Sequence, residues 1–237
     1  EIAVVGLTNY FRFADGELDE IGNKLKAKGV VVLPNLEFRT QPQNKDNEEM
    51  HIHVVFSEKV SGAKIEGFLG RLKTVDDKYC KDLTPAEIKN TSIAFDSLKS
   101  ALEQDKDIRH LEDYILVACP RGDGSYRPSA KDDGRGNNLA VVIYNKTYAL
   151  FCKKEDTDFF LKTDRYKDAE PKPVFFCSDT HEKSTIGAGF TWIKADATFL
   201  GLKEALYEPK DRVKIQDRNP SDAKTGRVVI DHVTYKT

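Results

Sequence analysis

Short apolar runs alternate with amphipathic stretches along this sequence, and that alternation restricts the fold more than any other pattern. Runs rich in Val, Ile, Leu and Phe lie at 2–7, 30–38, 51–56, 114–119, 147–152 and 173–181. Stretches with apolar residues at helical spacing lie at 18–29, 62–73, 85–104, 139–145, 156–164 and 197–208. Nearly continuous apolar runs are typical of strands covered on both faces. The alternation therefore predicts a parallel α/β fold, either an α/β barrel or a doubly wound sheet.

The composition is that of a chain with its own core. Of the 237 residues, 39% are hydrophobic and 32% are charged, and the formal net charge is -2. A chain that coats nucleic acid is strongly basic, so any contact with nucleic acid would have to be a local patch. The sequence contains no run of 18 apolar residues and no signal peptide. We therefore expect a cytoplasmic protein without a membrane span.

The cysteines and the common catalytic motifs exclude several classes of protein. The four cysteines, Cys80, Cys119, Cys152 and Cys177, are far apart and form no CxxC pair. This spacing argues against a zinc site built from cysteines and against a disulfide framework. Cys119 is interpreted as a core thiol, because no base is evident that would activate it. The absence of G-x-S-x-G, Walker A and GxGxxG motifs argues against a hydrolase elbow, a P-loop and a dinucleotide fold.

Polar residues with metal-binding chemistry stand at or near the ends of several predicted strands. Residues two apart in a strand share a face, so His51 and His53 of HIHVVF can project into one space. Asp179 and His181 alternate in the same way in CSDTHE, and Glu37 ends another predicted strand. Carboxylates combined with imidazoles suit zinc, manganese or iron. Since the active sites of α/β barrels lie at the carboxyl ends of the strands, this combination indicates a metal site.

Each of these residues also has a structural interpretation. His53 precedes an apolar run and is expected to point inward, whereas His51 is expected to face solvent. Glu37 could pair with Arg39, and Asp179 could be an ordinary loop residue. The long stretch at 120–138, rich in Gly, Asp and Arg, is either a mobile surface loop or a substrate lid. As a lid, it would bring Arg121, Arg127 or Arg135 to a phosphate group.

Four segments resemble one protein family in the same order. The run at 173–213, with SDTH followed by FTWIKADATFLGLKEALYEP, resembles the "SDAH" and "FTWIKADPTFEGLKQALYEP" of the PHP (polymerase and histidinol phosphatase) superfamily. The match is to its TrlF-like branch, which is fused to SMC- or ABC-like ATPase modules. GLTNYF, LPNLEFR and HIHVVFS resemble that branch's "GITDYY", "PNIEFR" and "NIHLLFS". The resemblance spans almost the whole chain.

The resemblance implies a fold and a site. The expected fold is a distorted, TIM-like (β/α)7 PHP barrel over residues 1–215, followed by a linker and a first strand toward an ATPase domain over residues 216–237. By position, Glu37, His53, Asp179 and His181 match the family's ligands for divalent metal ions (Mn, Zn or Fe), and His51 becomes a neighbour of the site. Asn9 stands where the family has an aspartate and is a fifth candidate metal ligand, since its amide can offer a neutral carbonyl oxygen. The family's first motif, "DLHIHT", is absent, so either the first strand lies outside this chain or the protein lacks it.

The resemblance leaves three functions open. The first is a metal-dependent phosphoesterase or nuclease that cuts nucleic acid phosphodiesters, is coupled to the ATPase and serves anti-phage defence. The second is a degenerate PHP domain that binds or scaffolds without catalysis, which Asn9 and the absent first motif favour. The third is a phosphatase for a small molecule. Nucleic acid and the ATPase domain are the expected partners, a homo-oligomer is an open alternative, and the substrate rests on analogy with the fused architecture.

Overall fold

The computed structural model describes residues 2–44, 47–120, 128, 129, 131 and 134–220. Its strands are β1 (Val4–Tyr10), β2 (Val31–Gln41), β3 (Met50–Phe56), β4 (Ile93–Ala94), β5 (Tyr114–Ala118), β6 (Ala149–Phe151), β7 (Val174–Phe175), β8 (Trp192–Ile193) and β9 (Val213–Lys214). Its α-helices are α1 (Glu17–Lys26), α2 (Gly62–Leu69), α3 (Pro85–Ile88), α4 (Phe95–Glu103), α5 (Arg135–Lys146), α6 (Thr157–Phe160), α7 (Phe199–Tyr207) and α8 (Pro209–Arg212). Short 3₁₀ turns occupy Cys80–Asp82, Lys154–Asp156 and Lys183–Thr185.

The main sheet is mixed and curls into a half-barrel. Its path is β1-β2-β3-β5-β6-β7, and the short β4 pairs with the end of β2. The prediction of an α/β fold is confirmed at this level. The expectation of a wholly parallel sheet is wrong, because β3 runs antiparallel to both β2 and β5. Residues 42–49 between β2 and β3 are too few for a helical crossover, which takes a dozen or more residues.

Several predicted elements differ from the observed ones. The helix predicted over 85–104 is two helices, α3 and α4, separated by β4. The break is stabilised by the pairing of Ile93 with Thr40, and the capping box of Thr84 and Glu87 starts α3. The strand predicted over 173–181 is regular only over β7. The strand expected in the tail falls in residues 221–237, outside the described part of the chain.

The sheet buries an apolar layer on each face. One face packs against α2, α4 and α5 in the larger cluster, which includes Leu36, Phe38, Ile52 and Val54. The other face, here called the α7 face, packs Leu33, Val55, Ile115 and Val117 with Phe199 of α7. Since side chains alternate along a strand, the odd-numbered residues of β2, β3 and β5 belong to the α7 face. Among the described residues, no helix is long and apolar enough to cross a lipid bilayer.

Candidate functional site

The candidate site lies where β1, β2, β5, β6 and β7 end and where the antiparallel β3 begins. Strand pairing places Glu37 directly between Tyr10 of β1 and His53 of β3. The next pair on the same face joins Arg39 to His51. Paired residues of neighbouring strands project to the same side of a sheet. The candidate site therefore lies on the α7 face at this edge of the sheet.

Glu37 directs its two carboxylate oxygens toward two histidines. Its Oε1 is 2.6 Å from Nδ1 of His51, and its Oε2 is 3.9 Å from Nε2 of His53. Burial alone would raise the pKa of Glu37, but the hydrogen bond from His51 and the charges of His53, His51 and Arg39 together lower it. The expectation that His51 faces solvent is wrong: its side chain is only 17% exposed and is bonded to Glu37.

His53 is buried, and its environment selects one tautomer. The amide of Asn35 donates from Nδ2 to Oγ1 of Thr8 at 2.7 Å, so its Oδ1 is the acceptor that faces His53 Nδ1 at 3.2 Å. The proton of a neutral His53 therefore sits on Nδ1, and Nε2 presents a lone pair toward Glu37. Burial, together with the charge of His51, outweighs the carboxylates of Glu37 and Asp179 and lowers the pKa of His53 to about 4. Neutral imidazole with a bonded Nδ1–H is the usual state of a metal-binding histidine.

Tyr10 completes the group around Glu37, and the sequence analysis missed it. Burial, together with the nearby charge of Glu37, raises the pKa of its phenol. The ring lies edge-on to His51, with centroids 6.4 Å apart, and 36% of the residue remains exposed. Alternation within GLTNYF could have suggested Tyr10, but only the register of β1 against β2 shows that it faces Glu37.

Asp179 and His181 form a second, exposed pair beyond β7. The carboxylate of Asp179 is 3.9 Å from His181 Nε2, and the side chains are 95% and 82% exposed. Asp179 has φ of 43°, in the left-handed region that a non-glycine residue seldom occupies. Its charge contributes to the pKa of Tyr10, His53 and Cys119, so it lies at the same end of the sheet as Glu37.

Asn9 is placed away from this group. The β1–β2 register pairs it with Leu36, which belongs to the opposite face from Glu37. Its amide nitrogen donates to Oε2 of Glu17 at 2.7 Å, and the same carboxylate accepts from the backbone of Ala14. Asn9 therefore holds the start of α1 in the arrangement observed here.

The arginines of the expected lid are only partly described. Arg135 is an exposed residue at the start of α5. Arg121 and Arg127 lie outside the described residues. The phosphate-binding role expected of these three side chains therefore stays a prediction.

The donor chemistry suits a divalent cation, but the donors stand as two separate pairs. Glu37 and His53 form one pair, and Asp179 and His181 form the other. Within the described part of the chain, no three His, Cys, Asp or Glu side chains are grouped closely enough to hold a metal ion. Two carboxylates and two imidazoles are the ligands that zinc, manganese and iron accept. The residues fit such an ion in chemistry and in the orientation of His53.

A cleft lies at the opposite edge of the sheet, away from these residues. It encloses about 370 Å³ next to the start of β5, and its walls include His110, Tyr114 and Tyr148. His110 is exposed there, as expected from the sequence, with its ring 5.0 Å from that of Tyr148. The cleft and the titratable residues around Glu37 therefore lie at opposite ends of the strands. The residues around Glu37 are the better candidate for a functional site, because their pKa values are shifted by neighbouring charges and by burial.

No family model matches this sequence, and no curated protein matches it.

Proposed function

We propose that this chain is a metal-dependent phosphoesterase domain that acts on nucleic acid phosphodiesters. One arrangement carries the proposal: Glu37 lies between His51 and His53, and His53 is neutral and oriented by Asn35. Asp179 lies at the same edge of the sheet. The sequence resemblance to the TrlF-like PHP branch supports the reaction class. Coupling to an ATPase domain in the same polypeptide, and a role in anti-phage defence, belong to the same proposal.

The proposed ligands are Glu37, His53, Asp179 and His181, with manganese, zinc or iron as the cation. A bound divalent cation supplies Lewis-acid activation of water and neutralises charge on the phosphoryl group. The chain's own contribution is orientation. Asn35 fixes the proton of His53 on Nδ1, and Nδ1 of His51 holds the carboxylate of Glu37. A (β/α)7 PHP barrel is the finer fold proposed here, supported by five strands that run parallel and end at one edge.

A binding domain without catalysis is the second candidate. Asn9 bonds to Glu17 rather than joining Glu37, and the described donors form two pairs rather than one group. A domain of this kind would keep the fold and the partner ATPase but lose the paired cations that phosphodiester cleavage uses.

Metal content separates the two candidates. The purified chain would be loaded with manganese, zinc or iron(II), desalted, and measured by inductively coupled plasma mass spectrometry beside the double variants E37Q/H53Q and D179A/H181A. H110Q is the matched control, because it removes an exposed histidine at the far edge of the sheet. Circular dichroism would confirm that each variant is folded.

The enzyme proposal expects near-stoichiometric metal in the parent chain and in H110Q, and loss of metal in both double variants. Cleavage of single-stranded and double-stranded DNA and RNA oligonucleotides would then follow the metal content. A folded parent chain that retains no metal under any loading condition would sink the enzyme proposal and leave the binding domain.

A further inference from the structure

Arg39 is a cation near Glu37 that forms no salt bridge with an acidic side chain among the described residues. It lies two residues beyond Glu37 on the same face of β2 and pairs in register with His51. Glu37 and Arg39 do not form the ion pair that the sequence allowed. Oε1 of Glu37 is hydrogen-bonded to Nδ1 of His51 at 2.6 Å, and the guanidinium of Arg39 donates to two main-chain carbonyls.

The guanidinium of Arg39 is held in place from two directions. Its Nη1 donates to the carbonyl oxygens of Ile88 at 2.6 Å and Thr91 at 3.3 Å. Its Cζ lies over the ring of Tyr10, 4.8 Å from the centroid, and 5.7 Å from the centroid of Phe11. Neutral carbonyls and aromatic faces orient the group without cancelling its charge.

These contacts leave part of the guanidinium free. Nε and Nη2 have no hydrogen-bond partner among the described residues, whereas Nη1 has two. A rigid planar group with unused N–H donors matches two oxygens of a phosphate or phosphodiester. Because Arg39 stands at the edge of the sheet where Glu37 and His51 lie, an anion bound to it would lie beside the candidate site.

We propose that Arg39, supported by the ring of Tyr10, is a binding site for a phosphoryl oxyanion. Its relation to catalysis rests on the proposed function, since it would position the phosphate of the substrate next to Glu37 and His53. The anion site itself requires no metal. Tyr10 is a positioning residue here, because its ring lies against the guanidinium of Arg39.

The test titrates the metal-stripped chain, in the presence of EDTA, with inorganic phosphate and separately with the dinucleotide dTpdT, by isothermal calorimetry and ³¹P NMR. The variants are R39Q and R39K, and R109Q is the matched control because Arg109 is an exposed arginine at the opposite edge. Losing a charge-assisted pair of hydrogen bonds is expected to weaken binding by about tenfold or more in R39Q. R39K keeps the charge but not the fork, so intermediate weakening is expected, and R109Q should match the parent.

Circular dichroism and metal content accompany each titration. If R39Q fails to fold, R39K and Y10L, which removes the ring under the guanidinium, decide the question. Affinity for phosphate alone assigns the site to free phosphate or a terminal phosphate, and affinity for dTpdT assigns it to a nucleic acid backbone. Equal affinities in the parent and in folded R39Q and R39K, or no measurable binding of either probe by the parent, would overturn the proposal. Arginine-dependent binding in a chain that retains no metal would keep the anion site and reject the phosphoesterase.

Discussion

Asn35 bonds to His53 through its Oδ1, 3.2 Å from the imidazole Nδ1, while its own amide donates to Thr8 on the neighbouring strand. This relay of two hydrogen bonds crosses three strands and decides which nitrogen of a buried imidazole faces Glu37. A hydrogen bond to the far nitrogen of the ring sets the tautomer and orientation of histidines that bind metals or move protons.

Replacing Asn35 with leucine should change the tautomer of His53, because leucine has a similar size but no hydrogen-bond acceptor. The N35L variant leaves the Nδ1–H of His53 buried without its acceptor, which is expected to cost about 1–3 kcal/mol of unfolding free energy. Urea denaturation measures the cost, and ¹⁵N NMR of the imidazoles reports the tautomer. The parent should show protonated Nδ1 on His53, and N35L should not. T8V removes only the acceptor that orients the Asn35 amide, so it should shift the tautomer less than N35L does. An unchanged His53 spectrum in N35L would contradict this account.

The two histidines of β3 should differ in their effect on metal binding. His53 directs Nε2 toward Glu37 at 3.9 Å, too far for a hydrogen bond, whereas Nδ1 of His51 is hydrogen-bonded to Glu37 at 2.6 Å. We expect H53Q to weaken manganese binding by roughly 10- to 100-fold, as loss of a well-oriented site residue does. H51Q should weaken it much less. Competition with a fluorescent chelator gives both affinities, and the reverse ranking would reassign the ligand to His51.

Lys172 should make the stability of the protein depend on pH in the alkaline range. Its Nζ is buried and donates to the carbonyl of Thr147 at 2.7 Å, and burial lowers its pKa from 10.5 to about 8. The unfolded chain binds this proton more tightly, so below about pH 8 the charged lysine costs the folded state about 3 kcal/mol. That cost should disappear as the pH rises from about 8 to about 10.5, where the unfolded state holds more protons.

The K172M variant tests this dependence. Its free energy of unfolding should exceed that of the parent near neutral pH by less than the full cost, because the bond to Thr147 is lost. The difference should shrink between about pH 8 and about pH 10.5 as the parent gains stability. Urea denaturation at several pH values gives the curve, and K146M, at the exposed end of α5, controls for losing a surface lysine. A constant difference across this range would remove Lys172 as the cause.

Two glycines should respond to alanine in opposite directions. At Gly201, in the first turn of α7, an added Cβ would clash with the backbone carbonyl of Asp196, so G201A should cost about 1–3 kcal/mol. At Gly22, inside α1, nothing lies within 4 Å of an added Cβ. There alanine should stabilise the protein by about 0.5–1 kcal/mol through helix propensity. Thermal and urea denaturation of both variants would show the two signs.

The sequence was most informative where burial repeats with a regular period. The apolar run of HIHVVF predicts β3 and the inward direction of His53, because both follow from alternation along one strand. Placing Glu37 beside His53 needed more, namely the family resemblance and the rule that polar residues at strand ends converge. Both residues do lie together in the structure.

What the sequence could not supply is the neighbour relation between strands. Tyr10, Arg39 and Asn35 become site residues only through the register of β1 on β2 and of β2 on β3. Asn9 shows the same limit, since its pairing with Leu36 rather than Glu37 sends it to the other face. The helix expected over 85–104 failed for a related reason: pairing of Ile93 with Thr40 on a distant strand overrides local helical spacing.

The antiparallel pairing of β3 with β2 bears on how this protein folds. Two parallel strands can pair only after a long connection between them has closed. The β2–β3 hairpin needs only a short connection, and contacts between residues close in sequence favour early formation. Glu37, Arg39, His51 and His53 all lie on that hairpin, so half of the candidate site is encoded in one local folding unit. Asp179 lies beyond β7, which is connected to this hairpin only through β5 and β6. We therefore expect the candidate site to assemble in two stages, the first by local pairing and the second by completion of the sheet.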